Sequence, residues 1–489
     1  MHHTSAVHTT NMLENAFLKA SSRSNPRQAT LKSQAIPLLI LFASIFIFSM
    51  AYFAQGIFAW SAGLAYIFYD TALLVFVAWQ TLPLLKNKPE NNATLHNLSL
   101  SKPLSIGVII AAYNEAEVLE RTIDSLLKQT YPPEQILIAD DGSNDDTAIK
   151  LAHLYGFNES AAFSQALISP QQPALQWLRV PHGGKARALN QAIPMMLTDI
   201  VVTVDADTLL ADDAISVMRN AFANEQALVA ATGVLTPICS GKITGKFLQW
   251  FQTYEYIRNF ISRFAWMRAD SLLLISGAFA GFRRSALLSV GGFDPDCLVE
   301  DYELIHRMRR YAVEHDLQWQ VRVLGGAQAL TSAPSTFYGF LLQRRRWFAG
   351  FLQTQYWHRD MIADRRFGKL GMWMLPVKTI DTVQPFYGLI AFIFLIYFLM
   401  SGKLSLLASV LVVISIKIII DLVFHSWSVY LYKRWTNDSA QPKFSLAIAA
   451  AILEPFTFQL LRHLGAAMGW YYFLAGRKTW GKQVRHPMQ

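Results

Sequence analysis

Charge is scarce in this sequence. Only 16% of its 489 residues are Asp, Glu, Lys or Arg, against 53% apolar, a balance that excludes an ordinary water-soluble enzyme. Cysteine is scarcer still. Cys239 and Cys297 are the only two, too few for a disulfide framework or a thiolate metal centre, and two reduced, buried thiols on the cytosolic side are expected. Basic residues outnumber acidic ones, 43 to 34, yet no recognition motif accompanies the excess, so nucleic acid is not expected as a partner.

The apolar excess is confined to runs. Residues 36–54 and 57–79, and later 382–400, 404–430 and 444–474, are nearly free of charge. Runs of this length suit helices that span hydrocarbon, so a lipid bilayer is an expected partner. The first run follows about 35 polar residues and lacks a small-residue cleavage site, which favours an anchor over a cleaved signal peptide. Basic residues sit beside the runs: Arg27 and Lys32, Lys86 and Lys88, then Arg477, Lys478, Lys482 and Arg485. By the positive-inside rule these flanks are cytoplasmic, which predicts a multi-pass protein of the plasma (inner) membrane with its soluble domain in the cytoplasm. A single span over 444–474 would leave Arg462 and His463 in lipid. A break at Glu454–Pro455, giving a hairpin or a tilted interfacial helix, is expected instead.

These shifts predict a disordered cytoplasmic tail over 1–34, a membrane hairpin over 35–85 and a polar linker over 86–103. A soluble domain over 104–335, interface helices over 336–380, a second membrane region over 381–475 and a basic tail over 476–489 complete the plan. Within the soluble domain, apolar β-type runs at 105–112, 135–139, 177–180 and 200–204 alternate with helical patterns at 115–130, 144–155 and 184–197. Such alternation predicts an α/β fold whose mostly parallel sheet is covered on both faces. Ligands of such sheets bind beyond the carboxyl ends of the strands. Residues 246–268 and 336–362 are aromatic and basic with a helical period, and are expected to lie along the membrane interface.

The motifs fall at the predicted strand ends. VVTVDADTLL (201–210) ends an apolar run in Asp205 and Asp207. Residues at i and i+2 of a strand point the same way, so both carboxylates can converge on Mg²⁺ or Mn²⁺ shared with a substrate phosphate. AAYNE (111–115) offers Tyr113 for stacking on a base and opens a helix with Asn114 and Glu115. IADDGSNDDT (138–147) carries Asp140 and Asp141, one of which can accept a nucleobase imide hydrogen; the other acids suit turns and caps. HGGKARALNQAI (182–193) lets backbone approach a pyrophosphate while Lys185 and Arg187 bring positive charge. It lacks the Lys-Ser/Thr ending of the nucleotide triphosphatase loop. In CLVEDYELIHRM (297–308), Glu300 and Asp301 open an amphipathic helix, where a carboxylate can take a proton from an acceptor hydroxyl. QRRRWFAG (343–350) places Gln343, Arg346 and Trp347 on adjacent faces of a helix, with Trp suited to a sugar ring and Arg to a phosphate.

In this order the motifs resemble the membrane-embedded processive family-2 glycosyltransferases, the group of cellulose, chitin, hyaluronan and poly-N-acetylglucosamine synthases. The likeness covers about residues 30–485. It implies a GT-A catalytic domain inserted between membrane helices, and an inverting, metal-dependent transfer from a UDP-sugar to a growing β-linked polysaccharide, coupled to export. By motif, Tyr113, Glu115 and Asp141 would bind the nucleotide, Lys185 the diphosphate, and Asp205 with Asp207 the metal. Asp301 would be the base, with Glu300 and Asp207 beside it in the catalytic group. Gln343, Arg346 and Trp347, with Gly277, Ala278 and Phe279 of SGAFAGFRR (276–284), would face the acceptor. The likeness implies UDP-N-acetylglucosamine as the first donor to test and UDP-glucose as the second, with accessory export or modification proteins as further partners. Val-Glu-Asp replaces the Thr-Glu-Asp common in that group, and regulation by an appended cyclic-dinucleotide domain is not expected. The other readings are a single-addition enzyme acting on a membrane lipid carrier and an inactive membrane scaffold. The intact Asp205, Asp207 and Asp301 weigh against the scaffold, and the Gln-x-x-Arg-Trp helix weighs against the lipid-carrier enzyme.

Overall fold

A computed structural model describes residues 2–86, 104–159, 163–437 and 444–477, with side chains from residue 11 onward. The polar linker and the basic tail expected from the sequence fall almost wholly outside the described residues. The soluble region is built on a nine-stranded sheet: β1 Ile106–Ala112, β2 Gln135–Asp140, β3 Ala166–Ile168, β4 Leu175–Arg179, β5 Ile200–Asp205, β6 Thr208–Leu210, β7 Leu228–Ile238, β8 Phe279–Arg283 and β9 Gln320–Ser332. The spatial order is β3-β4-β2-β1-β5-β8-β7-β9-β6. β4, β2, β1 and β5 are mutually parallel, and β7 and β9 run the same way. β3, β8 and β6 are reversed, so the sheet is mixed but mostly parallel.

The reason lies in side-chain pattern. IGVIIAA of β1 and QILIAD of β2 are buried almost throughout, because helices cover both faces and leave no solvent side for polar residues. β9 instead alternates buried and half-buried positions along its length, the period-two signature of a strand with one open face. In the helix Leu119–Leu127, Leu119, Ile123 and Leu126 share the buried stripe expected of them. Register then aligns the tips. Ala112 pairs with Asp140 and Ala111 with Asp205, so the acidic ends of β2 and β5 flank the end of β1.

Among the described residues, four helices are long and apolar enough to cross a membrane: Leu31–Phe53, Gly56–Leu85, Leu370–Met400 and Leu404–Thr436. Leu39, Phe42, Phe46 and Phe68 on them are exposed, which suits a surface met by lipid tails. A fifth apolar unit, Phe444–Phe456 with Phe458–Leu474, bends by 49° at the Glu454–Pro455 break the sequence predicts. Arg462 is not left in lipid there: it pairs with Glu255 at 3.1 Å and Glu454 at 3.6 Å.

The helix Ile243–Arg268 lies between strands β7 and β9 and the apolar helices, with contacts to Ser61–Thr81, Leu404–Thr436 and Phe444–Leu453. The helix Phe337–Trp357 packs on Phe458–Leu474. That contact needs Gly465 and Gly469, where a Cβ would lie 2.6 Å from Arg344 Cβ and 2.8 Å from Phe348 Cβ. Small residues four apart let two helices approach closely, and here they seat the Gln-x-x-Arg-Trp helix on the membrane bundle.

One expectation fails. Residues 2–34, the described part of the expected disordered tail, hold helical structure instead. His2–Ala20 is a helix, and Leu31 already opens the first apolar helix. Leu13, Phe17 and Ala20 are buried. The Arg307 guanidinium lies over the Phe17 ring at 4.8 Å, and Arg23 forks onto Asp294 at 2.9–3.0 Å and reaches Asp296 at 2.8 Å. Polar composition concealed an apolar stripe at spacings of four and three, enough for a helix once a docking surface exists.

Candidate active site

One continuous cavity of about 1740 Å³ begins at the strand tips and runs on between the apolar helices. Tyr113, Glu115, Asp141, Lys185, Asp205, Asp207, Gly277, Ala278, Glu300, Asp301, Gln343, Arg346 and Trp347 all line it. Phe279 does not. It follows Ala278 into β8, is fully buried, and packs against Gly233 of β7. The two-residue alternation of a strand sends it to the core, which corrects its assignment to the acceptor wall.

At one end the Tyr113 ring stacks on His182, with centroids 4.2 Å apart and planes 21° from parallel. Asn114 holds φ +56°, a left-handed turn that its side chain secures by accepting from Asn144 N at 2.8 Å. Asp141 is buried and committed to the glycine loop. Its carboxylate accepts from Gly183 N at 2.8 Å and Gly184 N at 2.9 Å, and His182 Nδ1 lies 2.9 Å away. Asp141 thus shapes the HGGK loop directly. His182, quoted in that motif but given no role, proves to be half of an aromatic platform.

Lys185 joins three segments. Its Nζ lies 2.5 Å from Asp205, 3.6 Å from Glu300, and donates to Gly277 O at 3.3 Å. Burial alone would lower its pKa, but Asp205 and then Glu300 outweigh it and drive the value up, so Lys185 stays charged. Asp207 is pushed up to about 7, first by burial and then by the neighbouring Asp205 charge, with Lys185 opposing. Glu300 is raised by burial too, against the pull of Lys185. Two close carboxylates, one resisting ionisation, form a site that gains from a divalent cation. No group of three or more His, Cys, Asp or Glu among the described residues could hold a metal by itself. Asp205 and Asp207 therefore fit a cation that takes its remaining ligands from phosphate oxygens and water.

Asp301 sits in the first turn of the helix Glu300–Glu314. Its Oδ2 accepts from Gly277 N at 2.7 Å and its Oδ1 from Tyr302 N at 2.8 Å. A side chain at residue 277 would meet Asp301 Oδ2 at 2.9 Å, so glycine is what admits this close bond. Arg346 donates to Leu298 O at 3.3 Å; burial lowers its pKa, while Glu300 and Asp301 pull it back up. The Trp347 ring carries the Arg344 guanidinium at 4.5 Å, and the buried Gln343 Oε1 has no hydrogen-bond partner among the described residues.

Deeper in, the wall is made of ion pairs the sequence did not connect. Glu255 binds Arg344 at 2.6 Å, Arg258 binds Glu454 at 2.5 Å, and Lys417 binds Asp70 at 2.8 Å and also Asp421. Lys417 and Asp421 stand four apart on one helix, whereas Asp70 comes from another. Of the two cysteines, Cys297 is buried and Cys239 only partly so, and both are free.

Comparison with known proteins agrees with this geometry. Residues 107–291 match the family model "Glycosyl transferase family 2", and residues 200–430 match "Glycosyl transferase family group 2". A poly-beta-1,6-N-acetyl-D-glucosamine synthase of Staphylococcus epidermidis is 27% identical over 414 residues, covering 79% of this chain and 91% of the relative. One from Staphylococcus aureus (strain COL) is 29% identical over 284 residues, 58% of this chain and 62% of the relative. A mannosyltransferase from Pyrobaculum calidifontis, solved with GDP-Man and Mn²⁺, superimposes with a TM-score of 0.53 at 19% identity over 82% of this chain and 99% of its own. That likeness is one of fold, and the fold is GT-A. With the strand-tip carboxylates, the Gln-x-x-Arg-Trp helix and the apolar helices in one molecule, the chain belongs to the membrane-type, processive family-2 glycosyltransferases.

Proposed function

We propose that this protein transfers a sugar from a UDP-sugar, first choice UDP-N-acetylglucosamine and then UDP-glucose, to the end of a growing β-linked polysaccharide, inverting the anomeric centre, and passes the product across the membrane. The observation that carries this reading is the single cavity that joins Asp205, Asp207 and Asp301 to Trp347 and continues past Asp70, Lys417 and Glu454 among the apolar helices. Placement in the plasma (inner) membrane, with the sheet on the cytoplasmic side, rests on the basic flanks Arg27, Lys32, Lys86 and Arg477. Partners that modify or export the polymer fit the same reading.

The roles follow from position. The uridine would lie on Tyr113 and His182, within reach of Glu115 and the loop that Asp141 holds. Lys185 would meet the diphosphate. Asp205 and Asp207 would hold Mg²⁺ or Mn²⁺, whose chemistry when bound is to neutralise charge on the departing nucleoside diphosphate. Asp301 would accept the proton of the attacking hydroxyl as its oxygen bonds to C1 and the C1–O bond to phosphate breaks. Gln343, Arg346 and Trp347, with Gly277 and Ala278, would frame the sugar being extended.

The test is radiolabelled transfer by the purified full chain in lipid vesicles, across a panel of UDP-sugars with Mg²⁺ or Mn²⁺. A ladder or smear of product is expected. A single band on a lipid carrier would replace polymer synthesis by single addition, and no UDP release from any donor would sink the reading.

A further inference from the structure

Arg263 lies on the face of the helix Ile243–Arg268 that borders the cavity, as do Glu255, Asn259 and Trp266. Glu255 and its neighbour Arg258 are paired with charges on other helices. Arg263 is not. Its Nε and Nη1 are buried without a hydrogen-bond partner, and no ion pair engages it among the described residues. Its guanidinium carbon lies 4.6 Å from the centroid of the Phe260 ring. A guanidinium carries five donors in a fixed fork, and leaving buried donors unmade costs stability unless a ligand satisfies them. Its charge also lies within the field of the Asp301 carboxylate, which opposes the lowering of its pKa by burial to about 10, so it is cationic at neutral pH.

We infer that Arg263 is a specificity residue of the acceptor subsite: its free donors bind an oxygen acceptor, such as the carbonyl of an acetamido group, on the terminal sugar beside Asp301, and its charge rejects a sugar bearing a free, protonated amine. This deepens the proposed function and rests on its assignment of the acceptor side. A neutral sugar amide completes the fork; an ammonium has no lone pair to accept and meets a like charge in a low-dielectric cavity. The other charged side chains of the deeper wall are paired with one another, so Arg263 marks where the wall begins to read the chain.

The experiment measures acceptor binding without donor. Full-length protein in detergent is titrated with N-acetylglucosamine oligosaccharides and with glucosamine oligosaccharides of equal length, and quenching of tryptophan fluorescence is read from Trp266 and Trp347 on the cavity wall. The wild type should bind the N-acetylated series at least about tenfold more tightly, the size expected for a charge-assisted hydrogen bond. Arg263→Met should weaken that series by about tenfold and bring the two affinities together. Arg263→Lys should keep rejection of the amine while weakening the acetamido contact. UDP binding, followed in parallel, reports whether each variant is folded; if Arg263→Met fails this check, Arg263→Lys decides. Equal binding of the two series by the wild type, or unchanged discrimination in Arg263→Met or Arg263→Lys, overturns the inference. The donor panel tests the proposed function separately, since these titrations need no nucleotide sugar.

Discussion

The two halves of the cavity handle charge in opposite ways. Around Lys185, the carboxylates Asp205, Asp207, Glu300 and Asp301 outnumber the nearby cations, Lys185, Arg346 and Arg263. Between the apolar helices, Glu255, Glu454, Asp70 and Asp421 are matched by Arg258, Arg344, Arg462 and Lys417. The first half is left short of positive charge, which a metal ion would supply. The second pairs these charges among themselves, and on the proposed function a wall that has satisfied them would hold a sugar chain weakly enough to let it move. On that reading, the half that grips a leaving group keeps its charges open, whereas the half that passes the product closes them.

Breaking the open half should have the largest effect. Asp301→Asn can still accept from Gly277 N but cannot take a proton, so the transfer rate should fall about 10²–10⁴-fold with UDP binding retained; the check is single-turnover transfer in vesicles. In the closed half, Lys417→Met strands Asp70 and Asp421 and should destabilise the protein by about 3–5 kcal/mol. Adding Asp70→Asn and Asp421→Asn should recover most of that in thermal unfolding, and no recovery would show that Lys417 acts by packing rather than charge. Where the halves join, Gly469→Leu forces a side chain onto Phe348 and should cost about 1–3 kcal/mol and depress transfer, read from melting and activity together.

A smaller effect sharpens the comparison by pH. Asp207 sits near pKa 7, raised by burial and Asp205, and a cation needs its ionised form. Affinity for Mn²⁺ should therefore grow about tenfold per unit as pH rises toward 7, then level off above; calorimetry of the UDP-bound protein measures this. The smallest effect is expected away from the site. Arg27→Ala removes a partly exposed ion pair to Glu314 and should cost about 1 kcal/mol or less, seen as a modest drop in the melting temperature.

The open half was readable in the chain because each motif is local. VVTVDAD, AAYNE and HGGK are each a strand end or a turn, and strand–helix alternation puts all such ends on one edge. Lys185 touching both Asp205 and Glu300 was not readable, since those residues are 20 and 115 positions away and meet only when β5 and the Glu300–Glu314 helix pack. Phe279 was misplaced because a motif names a stretch while the pleat decides which residue of it faces the cavity. The N-terminal helix was missed because its apolar stripe is sparse and acquires a partner only on the folded domain. Arg263 escaped notice for the same kind of reason: in sequence it is one arginine in a basic aromatic helix, and only packing distinguishes it from Arg258.

What the sequence by itself determined were the properties that depend on neighbours along the chain: which runs are apolar enough for lipid, where strands end, and which acidic and basic residues stand at those ends. What only the tertiary structure decided was which charges neutralise each other and which stay open. Electrostatic pairing falls off with distance through space, and distance along the chain carries almost no record of it.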